Sequence, residues 1–206
     1  MYTEKLLKQF PIISDQIDAS RLQVVLSKLE KVLQQGINGD IVEFGCYIGT
    51  TSLFIQRLLN CYTDQPRLLH VYDSFAGLPL KGSEDNSGVG IDFQPGVLAT
   101  SKKQLLKEFQ KAHLKLPIVH KAWFEALTSK DVPTAVAFGF LDGDFYSSIL
   151  TSLQLVWPRL QTGGIVTIDD YQREALPGVT KASEYFFGRG QAVSFANHIA
   201  FIQKAR

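Results

Sequence analysis

At 206 residues, 45% of them hydrophobic, the chain is long enough to bury one large α/β core and too short for two comfortable domains. Its 21 basic and 20 acidic residues leave a net charge of +1 with no basic stripe, so no nucleic-acid partner is expected. The two cysteines, Cys46 and Cys61, give neither a disulfide framework nor a metal-binding spacing; the acids near the start speak against a signal peptide, and no apolar run is long enough for a bilayer. A cytoplasmic protein without membrane contact is expected.

Residues 1–36 read as an N-terminal arm and helix, and residues 37–206 as the body of one compact domain. Pro11 interrupts any helix in the arm. Ser20 is a candidate N-cap for a helix whose apolar positions Leu22, Val25, Leu26, Leu29, Val32 and Leu33 recur at helical spacing and which ends near Gly36. Asp40 to Phe44 reads as a strand, followed by a glycine loop with Gly45 and Gly49 and an apolar helix to about Leu59. Such a loop leaves backbone N–H groups free and lets a ligand approach the main chain. The spacing Gly45-x-x-x-Gly49 is neither the dinucleotide fingerprint nor a phosphate loop, which argues against a nicotinamide-dependent oxidoreductase.

A second strand, Leu68 to Tyr72, ends at Asp73, with Ser74 and Phe75 after it. A carboxylate there can accept both hydroxyls of a ribose. Ala76 to Gly96, rich in Gly, Pro, Ser, Asp and Asn, reads as a long loop at the ligand end of the sheet. A helix through Leu105, Leu106 and Phe109 follows, then a strand from Pro117 to His120, with Trp123-Phe124-Glu125 just beyond it. Ala137 to Leu141 and Ile165 to Ile168 are apolar runs joined by a helix from about Tyr146, with Asp144 a candidate cap and Gly163-Gly164 read as a turn. The first run stops at Asp142-Gly143-Asp144 and the second at Asp169-Asp170. If the two strands are parallel neighbours, Asp142, Asp169 and Asp170 meet at one edge, where a hard cation such as magnesium would relieve their repulsion. A helix from Gly178 to Phe187 and closing strands Gln191 to Phe195 and Ile199 to Gln203 complete a mostly parallel α/β sheet with an antiparallel hairpin.

These residues carry a family likeness. VYDSFAGLP at 71–79, KAWFEAL at 121–127, LDGDFYSS at 141–148, the run from Pro158 through Gly163-Gly164 to Asp169-Asp170-Tyr171, and Gly178 with Lys181-Ala182 and Phe186 resemble the class I S-adenosylmethionine-dependent methyltransferases, and among them the macrocin O-methyltransferase (TylF/MycF) family. The glycine loop VEFGCYIGTTS is also similar to that of the catechol O-methyltransferases. The resemblance implies a Rossmann-like fold, helices on both faces of the sheet, and a magnesium-dependent O-methyltransferase acting on a hydroxyl of a small acceptor, a natural-product sugar. It further implies that Glu43, Gly45, Tyr47 and Gly49 line the S-adenosylmethionine pocket, with Thr50, Thr51 or Ser52 near its carboxylate. Asp73, followed by Ser74, would hold the ribose, Phe75 and Trp123 would lie near the adenine, and Asp142, Asp169 and Asp170 would ligate the metal, Asp142 also bordering the cofactor. Asp142, Asp144 and His120 are the candidate general bases. The chain is short for the family, so the arm and lid are expected to be abbreviated or different. Relatives often self-associate, and a homo-oligomer is compatible with that. An aromatic diol is the alternative acceptor; a binding protein that kept the fold and lost turnover is the alternative of another class.

Overall fold

The computed structural model describes residues 1–64, 66–89, 93–188 and 193–205. Helix α1 spans Tyr2–Gln9, and Phe10, the residue before Pro11, is already extended at φ −119°, as the proline ring demands of its predecessor. The arm is therefore a helix and a short link, held down by the buried Glu30, whose carboxylate accepts from the Tyr2 and Thr3 N–H groups and the Thr3 hydroxyl. Helix α2, Ala19–Gln34, is capped by Asp18 and not by Ser20: the Asp18 carboxylate accepts from the backbone N–H of Ser20 and Arg21.

Strands β1 (Asp40–Phe44), β2 (Leu69–Asp73), β3 (Ile118–Lys121), β4 (Val136–Leu141) and β5 (Leu160–Ile168) are parallel to their neighbours in the order β3-β2-β1-β4-β5. Strand β7 (Ile199–Gln203) joins β5 antiparallel, and β6 (Ser194–Ala196) pairs with β7 at the edge. The expected strand at Gln191 to Phe195 lies partly outside the described residues, and what is described begins at Ser194. Gly163 and Gly164 do not make a turn before the strand but lie inside β5. There the register against β4 shifts, and the glycines bond to Lys204 instead: Gly163 N–H donates to its carbonyl, and its N–H donates to that of Gly164.

Alternate strand residues serve opposite faces. Ile41, Val71, Phe138 and Phe140 pack with α2, α3 (Thr50–Leu59) and α4 (Lys102–Lys111). Val42, Phe44, Tyr72, Leu141 and Val166 pack with α5 (Tyr146–Val156) and α6 (Pro177–Phe187). β1 has β2 on one side and β4 on the other, so the connections leave it in opposite directions. That switch opens a crevice at the carboxyl ends of the strands, where α/β sheets of this kind bind ligands.

Candidate active site at the carboxyl edge of the sheet

The loops that leave β1, β2, β4 and β5 turn sharply, and each does so through a non-glycine residue with positive φ: Tyr47 at 48°, Phe75 at 57°, Asp144 at 60° and Asp170 at 56°. Backbone held in this region costs free energy and persists where the surroundings over-determine it. Gly45 is obligatory at the first of these loops. Its φ is +86°, and a Cβ there would stand 1.9 Å from the Asp142 carbonyl oxygen, so the loop after β1 and the acidic loop after β4 touch through its bare backbone. The Asp142 N–H in turn donates to the Phe44 carbonyl at 2.8 Å.

Asp73, at the end of β2, organises the glycine loop. One carboxylate oxygen accepts from the N–H groups of Cys46 (2.9 Å) and Tyr47 (3.2 Å), and the other from that of Phe75 at 2.7 Å. Glu43 points from β1 toward α3 and is wholly buried. Ser52 donates a short hydrogen bond to its Oε2, while Oε1 has no partner. Burial, with the nearby Asp73 charge adding to it, pushes the Glu43 carboxyl up to about 8. The folded protein thus holds a proton that the unfolded chain releases near the ordinary glutamate value of about 4.3, and this contribution to stability falls as pH rises from about 4 to 8. Glu43→Gln removes that loss. Against wild type, the variant is expected to gain roughly 3 to 5 kcal/mol between pH 5 and pH 9 in denaturant titrations. Parallel pH profiles of the two proteins would show that Glu43 is ionised in the fold throughout.

Asp142, Asp144 and Asp170 each bring a carboxylate oxygen within 4.8 Å of the others, the set among the described residues that is suited to hold a metal ion. Asp144 does not cap α5 as expected; it sits in the left-handed region, two residues before the helix, with its side chain in this group. Asp169, beside them, is drawn to Arg21 of α2, whose Nη1 donates to both its oxygens at 2.9 and 3.1 Å and to Asp170 Oδ1 at 3.1 Å. Arg173 donates to the same Asp170 oxygen at 2.6 Å. Burial and then repulsion from the neighbouring aspartates raise Asp142 well above the carboxylate range, Asp144 to about 8 and Asp169 to about 7. Four acids with so few counter-charges are costly to keep together, the hallmark of a site and not of a scaffold.

One cavity of about 240 Å³ joins the two halves. Of the residues singled out in the sequence, Gly45, Tyr47, Asp73, Ser74, Trp123, Asp142, Asp144 and Asp170 line it. Glu43 and Ser52 lie behind the glycine loop, Gly49 begins α3 with Thr51 after it, and Thr50 is hydrogen-bonded to Ser14 at 2.9 Å. Phe75 is packed in the core, and His120 stands on β3 stacked on Tyr72, its Nε2 3.1 Å from His70 Nδ1; neither lines the cavity. Arg21 and Arg173 were not anticipated. Arg21 carried a readable signal, because it shares the buried stripe of α2 with Val25, Leu29 and Val32 at helical spacing.

A family model described as macrocin-O-methyltransferase (TylF) matches residues 11–195. The 8-demethyl-8-(2,3-dimethoxy-alpha-L-rhamnosyl)-tetracenomycin-C 4'-O-methyltransferase of Streptomyces olivaceus is 34% identical over 165 residues, covering 77% of this chain and 63% of its own. Mycinamicin III 3''-O-methyltransferase of Micromonospora griseorubida is 30% identical over 167 residues, with 75% and 64% covered. The chain thus spans just under two thirds of the length of these curated relatives. Among solved structures, the O-methyltransferase NovP matches with a TM-score of 0.78 at 25% identity, over 92% of this chain and 81% of that one. The calicheamicin methyltransferase CalS11 shares the fold, with a TM-score of 0.75 at 20% identity over 98% and 90%. On the strength of the family match over most of its length, the chain belongs to the macrocin-O-methyltransferase (TylF) family.

Proposed function

We propose that the protein is a magnesium-dependent O-methyltransferase that uses S-adenosylmethionine to methylate a hydroxyl of a small acceptor, a sugar of a natural product. The observation that carries this reading is that one cavity is walled by the glycine loop with Asp73 and also by the oxygen set Asp142, Asp144 and Asp170. The family supplies the chemistry: the two curated relatives named above are O-methyltransferases, and the first by name acts on a rhamnosyl compound.

The acid set fits a hard cation. Its donors are all carboxylate oxygens, close enough to share one ion, and a divalent charge would offset the mutual repulsion that, after burial, raises the proton affinity of Asp142 and Asp144. Asp142 and Asp170 would hold it together with Asp144, which completes the oxygen set, while Asp169, the third ligand expected from the sequence, is engaged by Arg21. When bound, the ion lowers the pKa of a coordinated hydroxyl and orients it. The chain's own groups do the rest. The backbone at Gly45 allows close approach of the cofactor, and Asp73 offers its carboxylate at the ribose side. Asp144, whose carboxylate lines the same cavity, is placed to take the hydroxyl proton as the oxygen bonds to the sulfonium methyl and the carbon–sulfur bond breaks, its electron pair remaining on sulfur.

A polyol is favoured over an aromatic diol because the acids adjoin hydrogen-bonding groups. Arg173 bonds Asp170, Arg21 bonds the Gln16 carbonyl, and Asp15 and Gln16 line the same cavity. Among the described residues no helix is long and apolar enough to cross a membrane. Calorimetric titration with S-adenosylmethionine tests the reading: saturable one-site binding is expected, and its absence would remove the methyltransferase assignment.

A further inference from the structure

Helices α5 and α6 start side by side, and neither carries a side-chain cap of its own: their N-cap residues are Phe145 and Leu176. The carboxylate that serves them comes from a distant loop. Asp85 is 2% exposed, and its Oδ1 accepts from the Tyr146 N–H at 2.7 Å, across 61 residues of sequence. Its Oδ2 accepts from the Gly82 N–H at 3.0 Å, closing the Ser83–Asp85 3-10 turn. The same Oδ1 occupies the space a side chain at position 178 would need, since a Cβ on Gly178 would lie 1.8 Å from it. A negative charge at two helix N-termini is electrostatically favourable to both.

The loop that carries Asp85 forms part of the cavity wall. Its base is clamped by the Leu78 N–H to the Val97 carbonyl at 2.8 Å and the Gly96 N–H to the Leu78 carbonyl at 2.9 Å. Gly77, Leu78 and Pro79 before Asp85, and Phe93 and Leu98 after it, line the cavity. The helix that Asp85 caps begins two residues after Asp144 and brings Ser148 to the same cavity. The exposed Lys181 to Glu84 contact runs beside this link.

We infer that Asp85 is a positioning residue: it latches residues 78–89 onto the starts of α5 and α6, fixing the cofactor-side wall and the acidic loop in one geometry. The inference rests on the proposed S-adenosylmethionine site for its ligand and on the hydrogen bonds alone for the latch. Asp85→Ala loses both accepted bonds, whereas Asp85→Asn keeps an acceptor for Tyr146 and loses the charge. Gly178→Ala attacks the latch from the other side; its Cβ would also stand 2.9 Å from the Tyr146 backbone nitrogen, so its effect is read together with that of Asp85→Asn.

Two readouts apply to the intact chain: the affinity for S-adenosylmethionine by calorimetry, and the rate of trypsin cleavage after Lys81 in the loop. Cofactor affinity should fall about tenfold or more in Asp85→Ala and in Gly178→Ala and less in Asp85→Asn, in line with a lost charge-assisted hydrogen bond. Cleavage after Lys81 should accelerate in the same order. Wild-type affinity together with wild-type cleavage in Gly178→Ala and Asp85→Asn would overturn the latch, even if Asp85→Ala fails to fold. If the wild type binds no cofactor, the methyltransferase reading fails, and the Lys81 cleavage rates alone still decide whether Asp85 holds the loop.

Discussion

Replacing Arg21 by methionine is expected to destabilise the protein by about 3 to 5 kcal/mol near neutral pH, the usual cost of removing one partner of a buried ion pair. The side chain is 10% exposed and spans Asp169 and Asp170, which are 2% and 7% exposed. Without it, the buried acids must bind protons or repel one another. Burial opposes the arginine's charge, but the surrounding carboxylates outweigh that and hold its pKa above the ordinary value. Because Asp169 then titrates higher still, the deficit should shrink toward pH 5, where Asp169 is protonated, and widen as pH rises through about 7. Chemical denaturation at these pH values checks it. A cost below about 1 kcal/mol at neutral pH would mean that the pair behaves like a surface contact.

The second large effect concerns turnover. Asp142→Asn and Asp170→Asn each remove one charge from the oxygen set while keeping its shape. Methyl transfer is expected to fall more than about 100-fold in either, beyond the 10- to 100-fold typical of residues that only support a metal's ligands. Cofactor binding should change less, because Asp73 and the N–H groups it orders belong to the loops after β1 and β2, while the substituted side chains lie beyond β4 and β5. Asp142→Asn also relieves like-charge repulsion, so that metal-free variant should be at least as stable as wild type above pH 7, whereas Asp170→Asn also weakens the contacts with Arg21 and Arg173. Loss of activity with a matching loss of cofactor affinity would assign these acids to the cofactor instead.

The sheet was legible because its strands are short apolar runs that stop at acids or glycine, and parallel pairing then brings those stops to one edge. Asp73, Asp142 and Asp170 needed no long-range information beyond that order. What the pattern hides is side-chain traffic across elements. Asp169 and Asp170 are adjacent in sequence, yet one turns to Arg21 and the other joins Asp142 and Asp144, a choice set by a helix about 150 residues earlier. Asp144 looks like an ordinary cap in sequence, but the cap of α5 is Asp85, supplied from a loop with no periodicity to read. The glycine pair at 163–164 imitates a turn because its partner, the backbone at Lys204, lies outside the local window. His120 ends a strand as the acids do; its stacking on Tyr72 and His70 is visible only once β2 and β3 are side by side.

The most direct test of the central claim is methyl transfer from isotopically labelled S-adenosylmethionine, followed by mass spectrometry, to glycosides bearing adjacent free hydroxyls, with magnesium and then with chelator. The account predicts a labelled methyl ether on a sugar hydroxyl with magnesium and its loss under chelation. Transfer that is indifferent to the chelator, or confined to aromatic diols, would contradict it.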